Sequence, residues 1–317
     1  MEAMPFTLIH HIATFLGTIT LCRLLFTLAV RLYIYTKRSR LDIYRHCASG
    51  SWALVTGGTD GIGLGFTDAF LACGFNVLVH GRNPEKLERL RSDLQLRYPG
   101  LSIETVVADA STPDEAFQAV AKKAADLPGR LTVLVNNVGG QSTKPQHTNL
   151  WNMPHAAIES DMNINARFPT HLTRALMPLL RRNGPSLIAN CGSVGGLFGI
   201  PYLAVYTATK AYIHTFTSAI KNEFIAERVA NVDIIGFTIG NVISATNKPD
   251  ASSFFTLSSK ACAEGCIAQI GRGKLMAYPS WKHEAQAALI DSMPEFLWRR
   301  AVVAEMKKRV EVEKTQQ

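Results

Sequence analysis

Residues 53–65 read ALVTGGTDGIGLG, in which a short apolar run leads into glycines at positions 57, 61 and 63. The apolar run predicts a buried strand, and the residues after the glycines predict the start of a helix. Glycine can take a positive φ at the strand exit, and it lets the backbone approach a phosphate and pack closely on the helix. A helix N-terminus also attracts phosphate. The pattern predicts either a dinucleotide-binding turn or a turn that is rich in glycine for structural reasons alone.

Short apolar runs alternate with helical segments from Ser51 onward, which is typical of βαβ units and a parallel sheet. The runs show little polar alternation, as expected of strands buried on both faces. The chain is therefore predicted to be α/β, with a doubly wound (Rossmann), mostly parallel seven-stranded sheet and helices on both faces, in residues 49–280. The candidate strands are 52–56, 75–80, 102–109, 131–136, 185–191, 231–237 and 274–278.

Residues 1–48 form a separate apolar segment with a basic end. No Lys, Arg, Asp or Glu occurs over the eighteen residues 5–22, and Arg23 then interrupts the run. Eighteen residues at about 1.5 Å each come close to crossing a hydrocarbon core of about 30 Å. We favour a membrane anchor, spanning or re-entrant; an interfacial amphipathic helix and a helix buried against the protein are the alternatives. The basic cluster that follows, which suits a cytoplasmic flank, is Lys37, Arg38 and Arg40.

The composition indicates a folded protein with an anionic partner. Hydrophobic residues make up 47% and charged residues 18% of the chain, which excludes a disordered protein. The formal net charge is +8, and the cations cluster mainly near the two ends without a nucleic-acid motif. We therefore expect a membrane surface, and no nucleic acid, as the partner. The six cysteines show neither a paired framework nor metal-ligand spacing, so no metal site is predicted, and scattered thiols suit a reducing compartment.

Residues 281–317 are predicted to form two amphipathic helices, the second of which starts at Pro294. Its apolar residues Phe296, Leu297 and Trp298 suit two positions. They either lie on a membrane or cover the substrate pocket.

Five motifs, in the correct order and spacing, resemble the short-chain dehydrogenase/reductase family. The resemblance covers roughly residues 50–245 and is closest to the membrane-anchored very-long-chain 3-oxoacyl-CoA reductases and the related 17β-hydroxysteroid dehydrogenases. The motifs are T-G-x-x-x-G-x-G at 56–63, N-N-x-G at 136–139, MNINA at 162–166, Ser193, and Y-x-x-x-K at 206–210.

The resemblance implies an NADP(H) site. Arg82 follows Gly81 after the second strand, where an NAD-preferring site would carry an acidic residue. Its guanidinium suits a 2′-phosphate, for which Gly81 leaves room. The alternative is that Arg82 is a solvated cation in a loop. Asp109 is implied at the adenine. The full set of implied cofactor-binding residues is Gly57, Thr59, Asp60, Gly61, Ile62, Gly63, Arg82, Asp109, Asn136, Asn137, Tyr206, Lys210, Val242 and Ser244.

The resemblance also implies four catalytic residues, Ser193, Tyr206, Lys210 and Asn165. Because positions i and i+4 share one face of a helix, Lys210 is expected beside Tyr206. An ammonium there favours the phenolate, so that Tyr206 can exchange a proton with a carbonyl oxygen. Ser193 would hydrogen-bond to that oxygen. Asn165 is implied to complete a water-linked proton path, or it bridges two helices structurally.

The implied activity is the reduction of a ketone on a small lipophilic molecule. A 3-oxoacyl-CoA is expected first, and a steroid or polyketide next. A catalytically silent, NADP-binding adaptor is the alternative from another functional class. The expected location is the endoplasmic reticulum membrane with the catalytic domain facing the cytosol, and the membrane contacts are the N-terminal helix and the C-terminal helices. A homo-oligomer through the helices that carry Asn165 and Tyr206 is also implied.

Overall fold

A computed structural model describes residues 6–46, 50–143, 145–244 and 253–315. The boundary expected between residues 48 and 49 lies outside the described residues, as does Cys47.

The predicted seven-stranded parallel sheet is confirmed. Its strand order is β3-β2-β1-β4-β5-β6-β9, and each neighbouring pair is parallel. A second sheet, which was not predicted, pairs β7 with β8. The strands are β1 (Ser51–Val55), β2 (Asn76–Gly81), β3 (Ile103–Val107), β4 (Arg130–Asn136), β5 (Ser186–Ser193), β6 (Val232–Ile239), β7 (Val242–Ile243), β8 (Leu257–Ser258) and β9 (Met276–Ala277).

Helices cover both faces of the large sheet. Because side chains alternate along a strand, Val55 packs with α2, α3 and α9 on one face, and Leu54 packs with α4, α6 and α8 on the other. The α-helices are α1 (Phe6–Thr36), α2 (Gly61–Ala72), α3 (Pro84–Arg97), α4 (Pro113–Ala125), α5 (His155–Met162), α6 (Phe168–Asn183), α7 (Gly195–Phe198), α8 (Ala204–Ala226), α9 (Ser259–Gln269), α10 (Trp281–Ser292) and α11 (Glu295–Thr315).

Two of the expected strands are shorter in the structure. β3 ends at Val107, so that Asp109 lies two residues beyond the strand. The Asp109 carboxylate accepts a hydrogen bond from the Ser111 N–H, and such a side-chain turn competes with further pairing in the sheet. The seventh strand is reduced to the two residues of β9.

α1 is a continuous helix that passes through Arg23 without a break, since arginine is a good helix former. Of the described helices, it is the one long and apolar enough to cross a membrane. The chain after α1 is tied to the globular part of the molecule. The Arg40 N–H donates to the Ile270 carbonyl, and the buried Tyr44 hydroxyl donates to Asp233 at 2.7 Å.

The strand order reverses between β1 and β4. The helix after β1, α2, packs on one face of the sheet, and α6, which follows β4, packs on the other. This arrangement opens a crevice at the carboxyl ends of the two strands, where ligands bind in sheets of this kind. The glycine loop follows β1 at this edge, and residues 137–139 follow β4.

Candidate active site

The glycine loop is shaped by positions that have no room for a side chain. Gly57 and Gly61 have φ values of +62° and +51°. A Cβ atom on Gly63 would overlap the Gly57 carbonyl oxygen. Asp60 caps α2 by accepting the Gly61 N–H at 2.7 Å, and the ammonium of Lys86, hydrogen-bonded to Asp60, lowers the pKa of that carboxyl. The loop therefore brings bare backbone to the start of α2, which fits the diphosphate of a dinucleotide.

The ends of β1 and β4 are clamped together beneath this loop. The buried Thr56 hydroxyl accepts the N–H groups of Asn137 and Val138 at 2.9 and 3.0 Å. The Asn137 side chain donates to the carbonyls of Thr56 and Gly57 at 2.9 and 3.3 Å. Asn137 is therefore in direct contact with the glycine loop.

Asn136 points into the interior. Its amide donates to the Thr173 hydroxyl at 2.9 Å and to the Asn190 side chain at 2.8 Å, and Asn190 in turn donates to Thr217. Successive side chains along a strand point to opposite faces. The structure thus brings the side chain of Asn137, and not that of Asn136, to the glycine loop. The Asn136 side chain links β4 to α6 and β5 through its hydrogen bonds.

His80 is a residue that the sequence analysis missed. It is 1% exposed, and its Nδ1 accepts the Gly57 N–H at 3.3 Å. Nε2 must then carry the proton, which it donates to the Ala108 carbonyl at 3.1 Å. Burial lowers the pKa of His80 to about 4, so the neutral ring holds the first glycine of the loop. In the sequence, only its position near the end of the second strand indicated that His80 lies close to the glycine loop.

Gly81 and Arg82 follow at the end of β2. A Cβ on Gly81 would lie 2.8 Å from Thr59 Cγ2, so the glycine gives the Thr59 side chain room in the loop; the room expected here for a 2′-phosphate stays a prediction. Arg82 is exposed directly beyond it, and Asp109 is exposed two residues beyond the end of the neighbouring strand β3.

The segment after β6 approaches the same loop. Val242 is 3% exposed and pairs with Leu257. The Cβ of Ser244 lies 3.2 Å from where a Cβ on Gly61 would be, which places Ser244 against the glycine loop.

Ser193, Tyr206 and Lys210 come from β5 and from the first turns of α8. Ser193 ends β5, and its hydroxyl accepts the Gly195 N–H at 3.1 Å. Lys210 is 6% exposed, and its ammonium donates to the Cys191 carbonyl at 2.9 Å. That ammonium lies 5.7 Å from the centre of the Tyr206 ring. The fold therefore brings a buried cation and a phenol to the strand end that carries Ser193.

Asn165 lies in a π-helical turn, Asn163–Arg167, between α5 and α6. Its amide donates to the carbonyls of Gly140 and Asp161, and its oxygen accepts the Gly140 N–H. A Cβ on Gly139 would lie 2.8 Å from the Asn165 oxygen and 3.0 Å from the Lys210 ammonium. Asn165 and Lys210 therefore meet at Gly139, and the proton path implied for Asn165 stays a prediction.

A narrow cleft lies beside Tyr206, between the start of α8 and residues that include Gln141, Gln146 and Met153. Asp161, which was not predicted, also lines it and is fully buried. Its Oδ1 accepts from the N–H and the hydroxyl of Ser142, both at 2.7 Å, and burial raises the pKa of the carboxyl. Asp161 thus holds one wall of the cleft in place.

α11 reaches over the residues that border this cleft. The Trp298 and Phe198 rings lie 5.9 Å apart. Near the other end of the helix, Glu313 accepts from the backbone N–H groups of Gln146 and His147 and from the His147 ring. Trp298 packs on Phe198, whereas Phe296 and Leu297 are exposed, so both positions expected for these residues, on a membrane and over the pocket, stay predictions.

The comparisons with known proteins agree with this geometry. The short chain dehydrogenase family model matches residues 51–252. Over 313 residues the chain is 29% identical to a very-long-chain 3-oxoacyl-CoA reductase-like protein of Arabidopsis thaliana, with 95% of each chain covered. It is also 29% identical over 250 residues to hydroxysteroid dehydrogenase-like protein 1 of Gallus gallus, which covers 78% of this chain and 74% of the relative.

A solved structure shares the fold. A short-chain dehydrogenase from Sphingobium yanoikuyae in complex with NADPH superposes with a TM-score of 0.64 at 20% identity, over 77% of this chain and 96% of that one. The family model covers more than half of the chain and includes the glycine loop, Ser193, Tyr206 and Lys210. The chain therefore belongs to the short-chain dehydrogenase/reductase family of oxidoreductases.

Proposed function

We propose that this chain is an NADPH-dependent reductase that converts a ketone on a lipophilic substrate into a secondary alcohol, with Tyr206 as general acid. The environment of Lys210 carries the proposal. Its buried ammonium lies one helical turn from Tyr206 and donates to Cys191, two residues before Ser193. It has no carboxylate partner among the described residues. A buried cation without a counter-charge stabilises negative charge that develops on an adjacent oxygen during proton transfer.

The residues around the glycine loop support NADP(H) as the cofactor. Backbone without side chains at the start of α2 would hold the diphosphate, and exposed Arg82 would pair with the 2′-phosphate. Lys210 would bind the ribose hydroxyls. When bound, the cofactor would supply a hydride to the carbonyl carbon. The further contacts we propose are Asp109 at the adenine and Val242 and Ser244 at the nicotinamide.

Residues of the chain would supply the proton that the carbonyl oxygen takes up. Tyr206 gives its phenolic proton to the carbonyl oxygen, which becomes the alcohol oxygen. The Ser193 hydroxyl donates a hydrogen bond to the same oxygen and stabilises its developing negative charge. Lys210 stabilises the phenolate that remains until a proton from solvent restores it. Asn165 fixes Gly139 and Gly140 against Lys210 and, in our proposal, lies on that proton path.

The substrate we propose is a 3-oxoacyl-CoA. Support comes from the reductase-like relative that matches 95% of this chain. The relative named hydroxysteroid dehydrogenase-like supports a steroid ketone as the second candidate. The apolar helix α1 supports a membrane-dissolved substrate, and the basic residues after it support a cytosolic catalytic domain, for which we propose the endoplasmic reticulum. We also propose a homo-oligomer through the helical segments that carry Asn165, between α5 and α6, and Tyr206, in α8.

The test is NADPH oxidation by the detergent-solubilised full chain with 3-oxoacyl-CoA, steroid and polyketide ketones, and with NADH as the control cofactor. We expect turnover with the 3-oxoacyl-CoA and a preference for NADPH. Tight NADPH binding without turnover of any ketone would contradict the reductase proposal and would favour the silent adaptor.

Tyr206→Phe tests the role of the phenol. We expect kcat to fall by about 10² to 10⁴ while the Kd for NADPH, measured by fluorescence, stays the same, because only the proton donor is lost. Tyr212→Phe is the matched control. That hydroxyl lies on the same helix, contacts Thr170 at 2.8 Å, and is not expected to affect turnover. Wild-type turnover in Tyr206→Phe would exclude Tyr206 as general acid.

A further inference from the structure

The end of α1 is fixed to α10 by a polar cluster. The Tyr35 hydroxyl donates to Glu284 at 2.9 Å, and Arg31 and Lys274 lie 3.6 and 3.1 Å from the same carboxylate. The Glu284 side chain is only 12% exposed. The first turn of α10 therefore lies where α1 meets the globular part of the molecule.

An exposed aromatic patch lies within one helical turn of this junction. Trp281 comes three residues before Glu284 and is 55% exposed, and Phe254 is 56% exposed. Their rings lie 5.6 Å apart, and the Lys282 ammonium is 4.5 Å from the centre of the Phe254 ring. We call Phe254, Trp281 and Lys282 the Trp281 patch.

The chemistry of this patch matches the surface of a lipid bilayer. Tryptophan is enriched at the level of the headgroups, because its ring is apolar and its N–H needs a polar partner. A lysine beside it can keep its ammonium at the phosphates while its stem stays in apolar surroundings. Arg31 and Lys274 already neutralise Glu284, so that Lys282 gives the patch a positive charge that attracts anionic lipids.

We propose that the Trp281 patch docks on the surface of the same bilayer that holds α1. The patch has a fixed place beside α1, whose described side chains are exposed over most of its length and require an apolar medium. The docking proposal rests on the membrane association proposed for α1. It adds a second contact, which fixes the orientation of the globular part relative to the lipid surface.

The docked turn is connected directly to the segment after β6. His283, next to Lys282, is fully buried; its Nδ1 accepts the Gly240 N–H at 3.1 Å and its Nε2 donates to the Asn241 carbonyl at 3.3 Å. A Cβ on Gly240 would lie 2.7 Å from the His283 ring. Docking of α10 therefore holds the segment after β6, which we propose at the nicotinamide, at a fixed distance from the membrane. That membrane supplies the lipophilic substrate.

Tryptophan emission of the full chain, reconstituted into phosphatidylcholine–phosphatidylserine vesicles with or without brominated acyl chains, tests the proposal. We expect brominated lipid to quench part of the emission and Trp281→Phe to remove that quenched part. Trp151→Phe is the control, since Trp151 is 82% exposed beside the cleft and is expected to contribute nothing to the quenching.

The outcomes separate the two membrane proposals. Flotation of the protein with the vesicles, together with emission that brominated lipid leaves unchanged, would overturn docking of the patch and leave the α1 anchor standing. A protein that does not float with the vesicles would overturn both. Quenching that persists unchanged in Trp281→Phe would also overturn the docking. None of these outcomes depends on turnover, so they are independent of the reductase proposal.

Discussion

His80 shows how one buried side chain makes the stability of the folded protein depend on pH. Its neutral ring accepts the Gly57 N–H and donates to the Ala108 carbonyl. Burial lowers the pKa of His80 to about 4, whereas histidine in an unfolded chain has a pKa of about 6.5. Between these values the unfolded chain takes up a proton that the folded protein excludes. The stabilising contribution of His80 is therefore complete above about pH 6.5 and is lost as the pH falls toward 4.

We expect this single residue to remove about 2 kcal/mol of the free energy of unfolding between about pH 7.5 and pH 5. Urea unfolding of the wild type and of His80→Gln over this range measures it. Glutamine can accept from Gly57 and donate to Ala108 but does not titrate, so the variant should lose that part of the pH dependence. Equal pH dependence in both proteins would show that His80 is not responsible.

A second prediction concerns Gly63. In Gly63→Ala the new methyl group would overlap the Gly57 carbonyl oxygen and lie 2.6 Å from the Asn137 side chain. The loop must move, so we expect a loss of about 1 to 3 kcal/mol in stability and a weaker Kd for NADPH. Calorimetry and NADPH fluorescence measure the two effects. Gly100→Ala, where no atom lies within 4 Å of the added carbon, should change neither. Wild-type NADPH affinity in Gly63→Ala would contradict the tight packing of the loop.

Among the elements, α11 is the one whose contacts hold a loop at the border of the cleft. Glu313 links the end of α11 to residues 146–147. Burial acts to raise the pKa of Glu313, but the hydrogen bonds from Gln146 and His147 outweigh it and lower the pKa. The carboxylate is thus ionised in the folded protein and holds one border of the cleft.

Removal of this carboxylate should free the loop. In Glu313→Ala we expect the amide hydrogens of Gln146 and His147 to exchange about 10 to 100 times faster, because hydrogen bonds to a charged group contribute about 1.5 to 3 kcal/mol. Hydrogen exchange with mass spectrometry measures this. Glu305→Ala on the same helix, which removes only an exposed pair with Arg309, is the control. Unchanged exchange in Glu313→Ala would mean that other contacts hold the loop.

At the scale of the whole molecule, the long apolar surface of α1 is the feature that we propose holds the protein at a membrane. We expect the chain to remain with membranes after washes with high salt and with alkaline carbonate, and to be released by detergent. An interfacial helix held partly by charge would be released by salt. Leu21→Asp, near the middle of α1, should shift protein to the soluble fraction because an acid there costs about 3 kcal/mol. Leu96→Asp on the exposed side of α3 should not. Release of the wild type by salt alone would contradict a spanning helix.

Local spacing was sufficient to predict the parallel sheet, the glycine loop, the neighbouring positions of Tyr206 and Lys210, and the apolar helix α1. Each depends on residues a few positions apart, whose geometry is set by the period of a helix or strand. The ends of strands were less predictable: β3 stops before Asp109 because a side-chain turn replaces further pairing.

Other features were decided only by the tertiary structure. Asn137 contacts the glycine loop while Asn136 is directed inward; His283 reaches the segment after β6; and Glu313 binds His147, 166 positions earlier in the chain. No local pattern encodes such pairs. Which distant side chains meet depends on how the helices pack against the sheet, because packing brings together residues that the sequence keeps far apart.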